Sequence, residues 1–216
     1  MKKTVMLFAC VVSAICLTTQ AALPANAKLS MNKNNIKVWT YQDPSQTVLS
    51  YKGETTYDVP IERAVALVLD VQNTPKWVPN VARAEVLSRD DKKGEFTLYM
   101  VLDFPFPLKD RDMVVKGKMF KDANGTISIK NKAIASGKPL NPNYIRLKNY
   151  EGDWVFQKIA GNKTKVTTTG FADPEGSIPQ SVTNMVVEQQ PYQMLQKMKA
   201  ELAKNSVLPA LPVMLK

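Results

Sequence analysis

The strongest constraint on this chain is a change of period. From Ala82 to Ala172 the apolar side chains tend to recur every second residue, and beyond Pro179 they recur every third or fourth. Phe96, Leu98, Met100, Leu102 and Phe104 alternate with Thr97, Tyr99, Val101 and Asp103, the pattern of a strand with one buried face. Val187, Pro191, Met194, Leu195, Met198 and Leu202 fall instead on one stripe of a helix expected over residues 179–205. A run of strands followed by one amphipathic helix must bury its sheet and helix against each other. The stripe either plugs that core or roofs a cavity. Met185, Met194 and Met198 keep the second option open, because thioethers adapt to irregular surfaces. Pro191 removes a backbone hydrogen bond, so the helix is expected to bend or restart near Gln189 to Pro191.

The remaining elements follow the same rules. Strands are expected over residues 36–41, 47–57, 84–88, 113–120, 126–135, 144–159 and 163–172. A short helix is expected over residues 60–71, where Ile61, Val65, Val68 and Leu69 share a face. Trp77 follows it in Lys76-Trp77-Val78-Pro79, where the prolines leave little room for a regular element. Lys116 and Lys118, Lys130 and Lys132, and Arg146 and Lys148 each stand two residues apart on successive strands, so each pair is expected to point outward. That gives a sheet with a basic outside, either a solvated face or one that meets an anionic surface.

The first residues read as a targeting segment. Lys2 and Lys3 precede an uncharged apolar run, and Ala25-Asn26-Ala27 supplies a small-residue cleavage pattern. Residues 1–27 are therefore expected to be a signal peptide, cleaved after Ala27, in a periplasmic or secreted protein. A membrane anchor is the alternative, but the run falls short of the ~20 apolar residues that span a bilayer. Lipidation at Cys10 is a further alternative, although Cys10 lies early, inside the apolar run. Both cysteines, Cys10 and Cys16, precede Ala27, so the remainder would hold together by burial without disulfides. Without Lys2 and Lys3, 27 basic residues face 19 acidic ones, a net charge of +8 that favours anionic surfaces. The chain has no histidine, which removes the usual general base near neutral pH and zinc sites built on imidazole.

Four motifs occur in order: Trp77-Val78-Pro79, Leu108-Lys109-Asp110-Arg111-Asp112-Met113-Val114, Asn149-Tyr150-Glu151-Gly152-Asp153-Trp154, and Asp173-Pro174-Glu175-Gly176-Ser177-Ile178-Pro179. With the short helix before them and the long helix after, they resemble the START (steroidogenic acute regulatory protein-related lipid transfer) domains of bacteria, within the Bet v 1-like helix-grip superfamily. The resemblance covers residues 36–205. It implies an α+β fold in which a curved antiparallel sheet wraps around a long C-terminal helix, with an additional short helical segment pair after the second strand. It also implies a tunnel between sheet and helix that binds sterols, phospholipids or other apolar molecules, and no metal or redox cofactor. Residues 28–206 would form this domain and residues 207–216 a tail.

On that resemblance, Phe96, Leu98, Met100, Leu102, Met113 and Val115 would line the sheet side of the tunnel. Val187, Met194, Leu195 and Met198 would line the helix side. Arg111 corresponds to an arginine that recurs in the family, and either a tunnel role or a salt bridge with Asp112 would suit it. Some members add a buried acid–base pair whose basic member would fall near Gly117 here, so that pair is not clearly present. Trp77 would stand at the tunnel mouth or plug it, and Trp154 reads as structural.

The leading expectation is a non-enzymatic binder of a lipid or other apolar ligand that transfers it in the periplasm. It would act as a monomer, with peripheral contact to an anionic membrane surface and no nucleic acid partner. A helix-grip enzyme, cyclase- or hydrolase-like, is the alternative, and its available carboxylates are Glu54, Glu85, Glu95, Asp103, Asp112 and Glu151. A structural or interaction protein with a basic face is the third reading.

Overall fold

The computed structural model describes residues 23–204 and 206–216. The apolar run of residues 1–22 lies outside them. The strands are β1 (Lys28–Lys33), β2 (Ile36–Gln42), β3 (Leu49–Tyr57), β4 (Val81–Asp90), β5 (Glu95–Leu102), β6 (Arg111–Lys121), β7 (Ile127–Ile134), β8 (Ile145–Arg146), β9 (Tyr150–Ile159) and β10 (Lys163–Ala172). Nine of them form one sheet in the order β1-β2-β3-β10-β9-β7-β6-β5-β4, with β8 beside β6. All pairs are antiparallel except β6 with β8. The sheet curves around the C-terminal helix, as the helix-grip expectation required.

The helical pair between β3 and β4 is α1 (Ile61–Leu69) and a 3-10 segment, Val71–Lys76. Pro60 precedes α1, and its fixed φ suits a helix start. The C-terminal helix has three parts: α2 (Gln180–Asn184), a π-helical stretch Met185–Gln189, and α3 (Gln190–Ala203). The restart at Gln190 has the expected cause. Pro191 lies in the first turn of α3, where its missing N–H interrupts no bond of α3 itself, and the preceding turn widens to the π form.

Gly53 explains how closely α3 lies on the sheet. A Cβ there would stand 2.9 Å from Leu195 Cδ1 and 3.2 Å from Thr168 Cγ2. Behind that contact lies the main core, where Ile36, Val38, Val65, Phe156, Val166, Leu195 and Met198 are buried. Tyr57 adds a buried hydrogen bond, its hydroxyl donating to Leu195 O at 2.6 Å.

Three expectations need correction. Strand β1 was not anticipated: its sequence Lys-Leu-Ser-Met-Asn-Lys has little apolar content, and it is an edge strand with a bulge between Leu29 and Met31. The single strand expected over residues 144–159 is two, because the chain leaves β6 after Arg146 and joins β7 only from Glu151. Arg146 lies on the convex face as expected, but it is buried there instead of solvated. Its Nε and Nη2 donate to both carboxylate oxygens of Asp112, at 2.7 and 2.9 Å. Tyr99 Oη donates to Asp112 Oδ2 at 3.0 Å, and Arg146 also reaches Lys138 O and Pro139 O. The pair lies beside a small second core on the convex side of the sheet, where Tyr99, Val101 and Val114 pack with Ile134 and Tyr144. The carboxylate holds the Arg146 proton more tightly than usual, and burial pushes the Tyr99 phenol up to about 12.

The C-terminal tail is packed. Leu215 is buried in the main core, and Lys121 Nζ donates to Lys216 O at 3.1 Å. Arg63 holds the junction before it, donating to Leu202 O and Lys204 O.

Candidate functional site

Two chambers lie between the concave face and the helical segments. The deeper one encloses about 120 Å³ beneath α1 and the 3-10 segment. Sheet residues Phe96, Leu98, Met100, Val115, Met119, Ile129 and Trp154 form its floor, and Val68, Leu69, Val71 and Trp77 form its roof. The other encloses about 110 Å³ beneath the π-helical stretch, bounded by Leu102, Met113, Leu147, Phe171, Pro174, Val187 and Pro191. Either space is several times the ~10–15 Å³ that a single water occupies on this measure. Tyr51, Val78, Met100, Tyr150 and Met194 border both chambers. These five side chains therefore form the border, or septum, that the two chambers share. Met100 and Met194 are its unbranched, adaptable members, the ones a long ligand would displace most easily.

The residues expected on the tunnel wall divide into three groups. Phe96, Leu98, Met100, Val115 and Met194 border the deeper chamber, and Met100, Leu102, Met113, Val187 and Met194 border the other. Leu195 and Met198 lie elsewhere: they turn to the Gly53 side of α3 and fill the solid core. Arg111 borders neither chamber and does not pair with Asp112. Its guanidinium stacks on the Phe104 ring at 4.2 Å and donates to Lys109 O, to Pro174 O at 3.0 Å and to Glu175 O at 3.3 Å. Burial lowers its pKa from the ordinary arginine value. Arg111 thus holds the loop that leads into α2, and it acts on the tunnel by placing that loop.

Gly117 accounts for the absent acid–base pair. A Cβ at this position would overlap the Phe96 ring and stand 2.7 Å from Asn131 Oδ1. The aromatic ring fills the space that a basic side chain would need. Gly117→Ala is expected to destabilise the fold by about 1–3 kcal/mol through overpacking. Phe96→Ala in the same chain should recover part of that loss, a coupling that a denaturant double-mutant cycle would measure.

Several lining residues escaped the sequence reading. Tyr51 and Tyr150 sit on strands that were expected, but one sequence does not show that both border the same two chambers. Burial pushes the Tyr51 phenol up to about 12 and raises that of Tyr150 as well, so both remain protonated donors at neutral pH. Trp154, read as structural, lines the deeper chamber, stacks on Phe156 and meets Trp77 edge-on at 6.1 Å. The one visible signal was the aromatic content of the four motifs.

The carboxylates are mostly committed elsewhere. Glu54, Glu85, Glu95 and Glu151 sit in ion pairs with lysine or arginine, and Asp112 is held by Arg146 on the convex side. Asp103 borders the chamber beneath the π-helical stretch. No group of three or more metal-ligating side chains gathers among the described residues.

The sequence pattern of the START domain family matches residues 24–206. An uncharacterised protein of Pseudomonas aeruginosa is 27% identical over 184 residues, covering 85% of this chain and 90% of that protein. A STAR-related lipid transfer protein fragment from Xanthomonas axonopodis superposes with a TM-score of 0.76 at 25% identity, covering 83% of this chain and 99% of the fragment. An aromatase/cyclase from Streptomyces sp. R1128 shares the fold at a TM-score of 0.52 and 14% identity, over 73% of this chain and 98% of the enzyme. The family pattern spans nearly the whole described chain, the curved sheet and gripped helix are those of the matching structures, and the protein belongs to the START domain family.

Proposed function

We propose that the protein binds a lipid or other apolar molecule in the two-chamber tunnel and carries it between membranes, without changing it chemically. One observation carries this reading: two mainly apolar chambers share a border that includes Met100 and Met194, and the ionised groups at their borders are few. Burial of apolar surface contributes ~25 cal/mol per Å² before the costs of association, so an acyl or polycyclic ligand can be held without a catalytic group. The protein purified from its own host should yield an extractable lipid on mass spectrometry, and it should take fluorescent lipid from donor vesicles. Absence of both would sink the carrier reading.

We place it in an exported compartment, on the strength of the apolar run after Lys2 and Lys3 and the Ala25-x-Ala27 pattern. Strand β1 starts at Lys28, directly after the expected cut, which supports a mature chain beginning there. N-terminal sequencing of the extracytoplasmic protein should begin at Lys28.

The membrane-facing surface in this proposal is the loop end of the tunnel rather than the basic convex face. Lys118, Lys130 and Lys132 are each paired with a carboxylate, which weakens that face as an anion attractor. At the loop end, Phe106 is 96% exposed and Leu140 is 75% exposed. Their loops are tied by Lys109 Nζ donating to Pro142 O at 3.3 Å, and Phe104 of the first loop borders the nearer chamber. Phe106→Asp should weaken sedimentation with phosphatidylglycerol vesicles about tenfold, since a buried phenyl contributes ~1.5–3 kcal/mol. Added salt should weaken it further through Lys109 and Lys148. Unchanged binding would move the docking surface elsewhere.

Asp103 is the observation that favours an enzyme of the cyclase kind. It stands exposed at a chamber mouth, and the buried tyrosines beside the septum keep their protons. A carboxylate in that setting has no second titrating partner to complete an acid–base pair, so the carrier reading is preferred.

A further inference from the structure

The deeper chamber opens to solvent along the edge strand β4. Val86 borders the chamber and is nevertheless 41% exposed, so α1 and the 3-10 segment leave the strand uncovered at that point. Ala84 and Arg89 of the same strand border the chamber too. Among the described residues, Arg89 is the one charged side chain on that border.

A bulge puts it there. Ala84 pairs with Met100 and Val86 with Leu98, so these side chains share the concave face. Strict alternation would bring Ser88 and Asp90 to the same face. The register instead shifts between Val86 and Ser88, with Leu87 as the extra residue, and bulges of this kind re-aim the side chains that follow. Ser88 then pairs with Thr97, and Arg89 pairs with Phe96. The row continues to Gly117 on β6, over which the Phe96 ring leans. Arg89 therefore stands at the outer end of an apolar floor. The same shift sends Asp90 and its cross-strand partner Glu95 to the convex face, and Lys93 and Lys118 pair with them at 3.9 and 3.6 Å.

The guanidinium is only partly engaged. Its Nε donates to Asp91 Oδ1 at 2.5 Å, and the Asp91 side chain is 54% exposed. An ion pair as open to water as this adds little to stability, so Asp91 is a weak competitor for an incoming anion. The two Nη atoms carry further N–H groups in the planar fork that matches a carboxylate or phosphate. At the opening such an anion keeps part of its hydration, whereas inside the apolar chamber its desolvation would be costly.

We propose that the deeper chamber holds an apolar chain ending in an oxyanion, a carboxylate or a phosphate, and that Arg89 binds that end at the β4 opening. The proposal rests on the carrier reading of the same tunnel and narrows its ligand class to anionic amphiphiles. Phe96 and Leu98 lie under the chain, and Arg89 fixes which end stays wet. A neutral ester or a sterol would cover the same floor without this contact.

The test compares the purified protein with its Arg89→Gln and Arg89→Lys variants, both of which should unfold at nearly the parent's temperature. The probes are cis-parinaric acid and its methyl ester, which share one chain and differ in charge. The dissociation constant of the acid should rise about tenfold in Arg89→Gln while that of the ester stays within twofold, and Arg89→Lys should recover part of the loss. Stearic acid and octadecyl phosphate, each displacing the bound ester from the parent, distinguish the two oxyanions: the stronger competitor names the head group, and it should compete about tenfold less well in Arg89→Gln. A second measurement follows the labelled carboxyl carbon of bound oleic acid by NMR. It should titrate at lower pH in the parent than in Arg89→Gln, because the guanidinium favours the ionised form. An equal effect of Arg89→Gln on acid and ester, or an unchanged carboxyl titration, overturns the proposal and leaves the carrier reading intact. If the parent protein binds neither acid nor ester, both fall.

Discussion

Arg146→Met is expected to cost about 3–5 kcal/mol, because it leaves Asp112 charged and buried with only the Tyr99 hydroxyl as side-chain partner. Midpoint temperatures should fall by roughly 10 °C, given ~2–4 °C per kcal/mol for a domain of this size. The loss also releases Lys138 O and Pro139 O, so the loop over the convex face should exchange its amides faster. Replacing both partners, Asp112→Leu with Arg146→Met, should recover most of the stability, since removing a buried pair together is often neutral. Denaturant titration of the two variants beside the parent protein decides the matter. A cost below ~1 kcal/mol for Arg146→Met would mean that water reaches Asp112 and that the pair does not hold the loop.

The second large effect separates two neighbours on α3. Leu195→Ala should cost about 3 kcal/mol or more, because Leu195 fills the solid core against Gly53 and its removal leaves a cavity. Met194→Ala should cost less, about 1–2 kcal/mol, because its side chain already borders empty space on two sides. The functional consequences run the other way. Met194→Ala opens the septum and should admit longer acyl chains, whereas Leu195→Ala should leave chain-length preference unchanged. Lipid profiles from the purified variants would read this. Equal costs and equal profiles would mean that Met194 is ordinary core and that the chambers do not communicate.

The concave face of the sheet was legible where periodicity alone decides the facing of a side chain. Phe96, Leu98 and Met100 alternate on a strand with one buried face, so the pattern carries their orientation. The restart of the helix was legible for a comparable reason, since Pro191 acts on its own backbone. What stayed hidden depends on partners distant in sequence. Arg146 and Lys148 have the same spacing as Lys116 and Lys118, and Arg146 is buried on that face because Asp112 waits for it 34 residues earlier. Leu195 and Met194 are adjacent on one stripe, yet only the close approach at Gly53 decides which of them meets solid core. Arg111 was recognisable as special from its motif, but its true contact, the carbonyls of Pro174 and Glu175, needed the loop's path. Tyr51 and Tyr150 border the same chambers only because β3, β10 and β9 lie side by side.

That neighbourhood also governs when the protein can fold. Strand β3 closes the sheet by pairing with β10, joining residues 49–57 to residues 163–172, and Leu215 enters the core from the second-last position of the chain. Contacts between ends so far apart form late and slowly, because the intervening loop must be closed first. Completion of the core therefore waits on the β3–β10 pairing and on the docking of Leu215, so the sheet and the helix it grips should consolidate together in one late step.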